Sequence, residues 1–125
     1  MDFKELLAYK KAFDLSMKIF HESKSFPKAE TYALTDQIRR SSRSVCANIS
    51  EAYRKRRYPK HFISKLTDAD GENSETNTWL DFAFAFEYLT KEVHADLSNQ
   101  GKEIGKLINY MINNPSKFGV KTEGR

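Results

Sequence analysis

Residues 34–57 read LTDQIRRSSRSVCANISEAYRKRR, and this stretch decides the fold. At about 100° per residue on a helix, Leu34, Ile38, Val45, Ile49 and Ala52 gather on one side. Arg39, Arg43, Arg54 and Arg57 fall within an arc of roughly 60°, centred about 140° away, with the small Cys46 and Ser50 near the same line. One face seeks a core and another presents a row of arginines. A polar row, Gln37, Arg40, Ser44, Asn48, Glu51 and Lys55, flanks the apolar stripe. Wherever that row is buried it must be hydrogen-bonded, since an unpaired buried charge is costly.

The charge around this stretch is concentrated. Residues 39–61 carry eight Lys/Arg (Arg39, Arg40, Arg43, Arg54, Lys55, Arg56, Arg57 and Lys60) and one acid, Glu51. The local charge of +7 exceeds the +4 of the whole chain. A field so placed acts on association more than on fold. It points to acidic partners, nucleic acid foremost, with Tyr53, Tyr58 and His61 as stacking groups.

Working outward, Pro27, Pro59 and Pro115 punctuate helix-like stretches. The first runs from about Phe3 to Lys24, where Phe3, Leu6, Leu7, Phe13, Met17 and Phe20 recur at helical spacing. The second runs from about Thr31 to Arg57, with a short turn after Pro27. The third begins near Pro59, which suits a first helical turn, and continues to about Leu89. FAFAFEY at 82–88 alternates like a strand, but alanine favours helix and no turn residue interrupts it. Thr90 N-caps a fourth stretch, from Lys91 to about Asn113. These elements predict an all-α, antiparallel, up-down-up-down four-helix bundle over residues 1–114. Residues 115–125, PSKFGVKTEGR, lack periodicity and read as a flexible C-terminal tail.

The third stretch has more apolar surface than one core needs. Phe62, Leu66, Ala69, Leu80 and Phe84 make one stripe, interrupted by Asn73. Asp68, Glu72, Glu75, Trp79, Phe82 and Phe86 make another, about 120° round the helix. It reads either as a broad core face with a solvated acidic end or as a subunit interface, in which Arg39, Arg40 and Arg43 of one copy meet Asp68, Glu72 and Glu75 of another.

Several chemistries are not signalled. His21, His61 and His94 lie on different stretches without ligand spacing, and the Glu-x-x-His pairs of di-iron bundles are missing. No glycine-rich phosphate loop is present. Cys46 reads as a packing residue, although the arginine row would favour its thiolate. No metal, cofactor or catalytic group is therefore expected, and the chain reads as a non-enzyme. Lone Cys46 fits a reducing cytoplasm, and no apolar run resembles a secretory signal or a membrane span.

Phe26-Pro27, Glu30, Tyr32, Leu34, Gln37-Ile38-Arg39-Arg40, Ser44, Ala47-Asn48-Ile49 and Glu51-Ala52 resemble the signature of a bacterial four-helix-bundle family. The family includes proteins encoded by 23S ribosomal RNA intervening sequences. Leu7-Ala8-Tyr9-Lys10-Lys11-Ala12 resembles its first-helix motif, with Tyr9 where Trp is common. Ala52 replaces a usual Gly, and Asp70-Gly71 is atypical. The resemblance spans roughly residues 3–113. It implies a left-handed bundle, often a homopentamer. A related branch, the accessory proteins of diversity-generating retroelements, associates with a reverse transcriptase and nucleic acid. Arg40, Ser44, Asn48 and Glu51 of the motif coincide with the polar row, which makes that row structural, between subunits. With Glu72, Glu75, Trp79, Phe82 and Phe86 it forms the expected oligomer interface. Arg39, Arg43, Arg54, Lys55, Arg56, Arg57 and Lys60 are the expected phosphate contacts. Two functions remain open: nucleic-acid binding, and a protein–protein scaffold whose arginines pair with acids of neighbouring chains.

Overall fold

The computed structural model describes residues 2–121. Its long elements are α1 (Leu7–Ser23), α2 (Leu34–Arg54), α3 (Pro59–Ala85) and α4 (Lys91–Asn113), with short 3-10 turns at Phe3–Glu5, Lys28–Glu30 and Pro115–Phe118. No strand occurs among the described residues, so FAFAFEY is not one. Each helix packs on its neighbour in sequence, and α1 also packs on α4, which closes the four around one core as in a four-helix bundle.

The boundaries have local causes. Pro59 opens α3 where its missing N–H costs nothing. The Thr90 hydroxyl accepts the Val93 N–H at 3.1 Å and caps α4. No cap side chain at Ala33 serves α2; instead Glu30 Oε1 accepts the Leu34 N–H at 3.3 Å. Its other oxygen accepts the Tyr88 hydroxyl at 2.9 Å, which ties the start of α2 to the α3–α4 connection. Helix α3 stops four residues before the sequence suggests, because Glu87 takes a left-handed φ of 65° and the Tyr88 N–H donates to the Ala83 carbonyl.

The α2 stripe forms the core as expected. Ile38, Val45, Ile49 and Ala52 are buried against Phe62, Leu66 and Ala69 of α3, each large side chain contributing about 1.5–3 kcal/mol. The expected face of α1 is corrected. Ala8, Ala12, Leu15 and Ile19 are inside, while Leu7, Phe13 and Met17 are 54%, 51% and 44% exposed. Ala8, Ala12, Leu15 and Ile19 share one side of α1, and Phe13 and Met17 fall on the opposite side. Phe84 also leaves the expected α3 stripe: it is exposed and stacks on His94, with centroids 4.5 Å apart, and Ala83 takes the core position.

The flexible-tail expectation is corrected over residues 115–120. Pro115–Phe118 forms a turn, Gly119 adopts φ 84°, and Val120 is buried in the core. Residues 122–125 of the expected tail lie outside the described residues.

Polar groups line the inner seams. Thr76 Oγ1 lies 2.8 Å from Ser41 Oγ and 2.9 Å from the Glu72 carbonyl. Buried Asn73 donates to the Gly101 carbonyl at 2.9 Å. Here α3 and α4 nearly touch: a Cβ on Gly101 would lie 2.2 Å from Asn77 Oδ1, itself buried without a hydrogen-bond partner. Gly71, by contrast, has nothing within 4 Å of its Cβ position.

The two glycines should therefore respond oppositely to alanine. Gly71→Ala removes a mid-helix glycine into open space and should raise stability by about 0.5–1 kcal/mol. Gly101→Ala should lower it by about 1–3 kcal/mol through overpacking, and adding Asn77→Ala should recover most of that loss. Urea unfolding followed by circular dichroism checks all three. A stabilised Gly101→Ala protein would show that the seam yields freely.

Candidate nucleic-acid interface

The arginine row divides once side chains are placed. Arg39 bends back onto α1: its Nε donates to Ser23 Oγ at 2.8 Å, and its guanidinium lies 4.7 Å from the Phe20 ring centre. Arg56 is likewise committed. It sits 3.6 Å from the Tyr53 ring centre and donates to the Tyr53 carbonyl at 2.8 Å and the Phe118 carbonyl at 3.4 Å. Both are among the expected phosphate contacts, and both also make contacts within the fold. Lys55 reaches Glu51 at 3.7 Å. Arg43, Arg54, Arg57 and Lys60 are exposed and form no ion pair within 4 Å among the described residues.

These four cations therefore make an unneutralised surface along α2 and around its connection to α3. Glu51, the one acid in that stretch, is already engaged. Lys65 reaches it at 3.2 Å, and this contact, with the nearby Lys55, holds the Glu51 carboxyl below the usual carboxylate range. Tyr58 stands at the same corner, 54% exposed, with its ring edge to His61 at 5.9 Å. Tyr53, also expected as a stacking group, is buried.

The expected interface residues occupy the neighbouring surface. A cleft of about 550 Å³ separates Arg40 and Arg43 on α2 from Glu72 and Glu75 on α3. None of these arginines bridges to those glutamates within the chain; Arg40 approaches Asp36 at 4.0 Å. Glu72 is pushed up by burial first, then by its like-charged neighbours Glu75 and Asp68. Glu75 accepts the Trp79 indole N–H at 3.2 Å. Asn48 donates to the Ser44 carbonyl at 2.9 Å and lies 3.1 Å from Ser44 Oγ. The polar row is thus largely satisfied within the chain.

Beyond it, Trp79, Phe82, Phe86, Tyr88 and Phe26 form a continuous ladder of rings, with successive centroids 5.5–5.9 Å apart. The inner end is part of the core, while Phe82 and Phe86 remain 46% and 50% exposed. The ladder is therefore both core margin and open apolar patch.

Burial raises the Cys46 thiol to about 11, so the arginine row does not activate it, contrary to the pull expected from sequence. His61 stands beside Tyr58, while His94 binds Asp81 at 2.8 Å. No group of three His, Cys, Asp or Glu is gathered as a metal site among the described residues, and none of their helices is long and apolar enough to cross a membrane.

Sequence reasoning missed a second aromatic surface. Tyr9 and Phe13 of α1 form a ridge, rings 6.1 Å apart, with Phe3 set edge-on to Tyr9 at 5.2 Å. A cleft of about 390 Å³ runs between this ridge and the small residues of α2, with Arg43 lining it. The available signal was the excess of large apolar residues over what one stripe of α1 can bury.

Comparison with known proteins agrees with this architecture. The family model described as 23S rRNA-intervening sequence protein matches residues 4–110. A crystal structure of a protein with unknown function from the S23 ribosomal protein family of Bacteroides thetaiotaomicron VPI-5482 is similar, with a TM-score of 0.78 and 30% sequence identity. The match covers 86% of this chain and 96% of that one. No functionally curated protein matches. By the extent of the family match and the shared fold, the chain belongs to the 23S rRNA-intervening sequence protein family.

Proposed function

We propose that this chain is a non-enzymatic, self-associating module that binds RNA or DNA through phosphates. It would act in the cytoplasm as an accessory to a nucleic-acid-processing protein, a reverse transcriptase being the partner class that the related branch suggests. The observation that carries the reading is the surface of Arg43, Arg54, Arg57 and Lys60, exposed and without a carboxylate partner among the described residues. Exposed cations retain their charge for a polyanion, and counterion release then supplies the affinity. No base-reading motif accompanies them, so binding is led by charge and shape.

Self-association rests on a separate observation. Phe82 and Phe86 expose ring surface on the same helix as Glu72 and Glu75, with Trp79 between Phe82 and Glu75, while Arg40 and Arg43 stand free of those glutamates in the same chain. A second copy can satisfy both at once. The resemblance suggests a pentamer of left-handed, up-down-up-down bundles, and a ring would repeat the basic surface and multiply modest single-site binding. The same apolar patch also favours the scaffold reading, in which a protein alone is the partner.

Two experiments test these statements. Binding of wild type to RNA and DNA should weaken with salt at a log–log slope of about −0.7 to −0.9 per phosphate contacted. Replacing Arg54, Arg57 and Lys60 together by Gln should flatten that slope by about two to three and leave helicity intact, because the three are exposed. Wild type that binds no nucleic acid at physiological salt leaves the scaffold reading in possession. Separately, wild type should sediment as an oligomer and Phe82→Glu should dissociate it; a monomeric wild type refutes the interface.

A further inference from the structure

The unpartnered α1 ridge and one cation of α2, Arg43, line a single groove. Its wall is Tyr9, Phe13 and Met17 of α1; its floor is Ala47 and Ser50 of α2; Arg43 lines it as well. Along α2, Arg43, Ala47, Ser50 and Arg54 fall within an arc of roughly 60°, so the floor leads from one exposed arginine to another about 16 Å along the axis. No carboxylate lines this cleft. On the other side of the ridge, a second cleft of about 490 Å³ carries Lys4 and Lys10. Its carboxylate, Asp14, pairs with Lys18 at 3.3 Å.

We propose that this groove binds single-stranded nucleic acid, with bases against Tyr9 and Phe13 and the backbone held by Arg43 and Arg54. The inference rests on the phosphate-binding reading above and narrows its ligand class. The half-exposed Phe13 ring, with partly buried Tyr9 beside it and cations nearby, suits unstacked bases, whose faces need a new partner. A duplex already stacks its bases internally and offers the ridge nothing but its backbone. The small floor residues matter because they leave room between wall and arginines. The cations flanking both sides of the ridge favour a polyanion over the apolar patch of a second copy.

The test is fluorescence anisotropy with a labelled mixed-sequence 20-mer, as a single strand and as a duplex with its complement, across a salt series. Single strand should bind about tenfold or more tightly than duplex. Phe13→Ala should weaken single-strand binding by about fivefold or more and leave the salt slope unchanged, since it removes a stacking surface and no phosphate contact. Phe13→Trp should preserve affinity, and its emission, measured above that of Trp79, should be quenched on binding. Phe13 is half-exposed, so both variants should fold, which thermal melts check. Equal affinity for duplex, unchanged binding by Phe13→Ala, or an unquenched Phe13→Trp overturns the groove. If the Arg54/Arg57/Lys60 variant still loses binding in that case, the phosphate reading survives; if no probe binds wild type, both fall. Loss of assembly by Phe13→Ala with binding unchanged assigns the ridge to a second copy and also overturns the proposal.

Discussion

The close approach of α3 to both its neighbours sets the rest of the structure. At its middle, α3 presents Asn73 and Thr76 to the interior where a bundle would ordinarily place leucine or isoleucine. These groups are tolerated because each finds a partner across a seam, Thr76 beside Ser41 and Asn73 on the Gly101 carbonyl. The partners are a serine and a glycine, the residues that allow backbones to come near. A larger side chain at either place would separate the helices and strand the polar atoms it was meant to meet. Asn77 Oδ1, buried and unpaired against Gly101, marks how little room remains. The apolar layers on either side, Phe62 with Leu66 and Leu80 with Ala83, then pack around a centre fixed by polar contact.

This constraint explains which parts of the fold were legible. Helix α4 could be read nearly to the residue because Thr90 caps it and its apolar residues from Ile104 to Ile112 keep helical spacing. Pro59 marked the start of α3 for an equally local reason. The inward face of α1 could not be read by seeking large apolar residues. Alanines share that face with Leu15 and Ile19, and Ala8 and Ala12 carry little weight in a hydrophobic pattern. The end of α3 was hidden too. Glu87 takes the left-handed conformation that usually announces itself as glycine, and only the tertiary contacts of Tyr88 and Leu89 make that worthwhile.

The basic surface was half legible in a similar sense. Sequence locates the charge, because arginine is cationic wherever it stands. It does not locate the guanidinium, which swings on a long stem toward whichever ring or carbonyl is nearest. Phe20 and Ser23 lie across the α1–α2 seam from Arg39, and Tyr53 and Phe118 surround Arg56. Apart from Tyr53, three residues before Arg56, these partners are 16 to 62 residues distant, outside any periodic reading. Arg43, Arg54 and Arg57 have no such partner in reach, so the charge they carry stays at the surface.

The C-terminal hook and Arg56 depend on one another, and this bears on how the surface is shaped. Gly119 adopts φ 84°, and a Cβ there would lie 2.9 Å from Arg56 Nη1. The absent side chain at Gly119 leaves the Arg56 guanidinium room beside the Phe118 carbonyl. Val120 then enters the core and holds the hook in place. Arg56 is held inward by the Tyr53 ring and carbonyl together with the hook, while Arg54 and Arg57 on either side face solvent. Of four consecutive cations, Arg54 to Arg57, one is spent on Glu51 and one on the hook. Which cations of the basic run reach solvent is therefore set by Tyr53 and the hook as well as by the run itself.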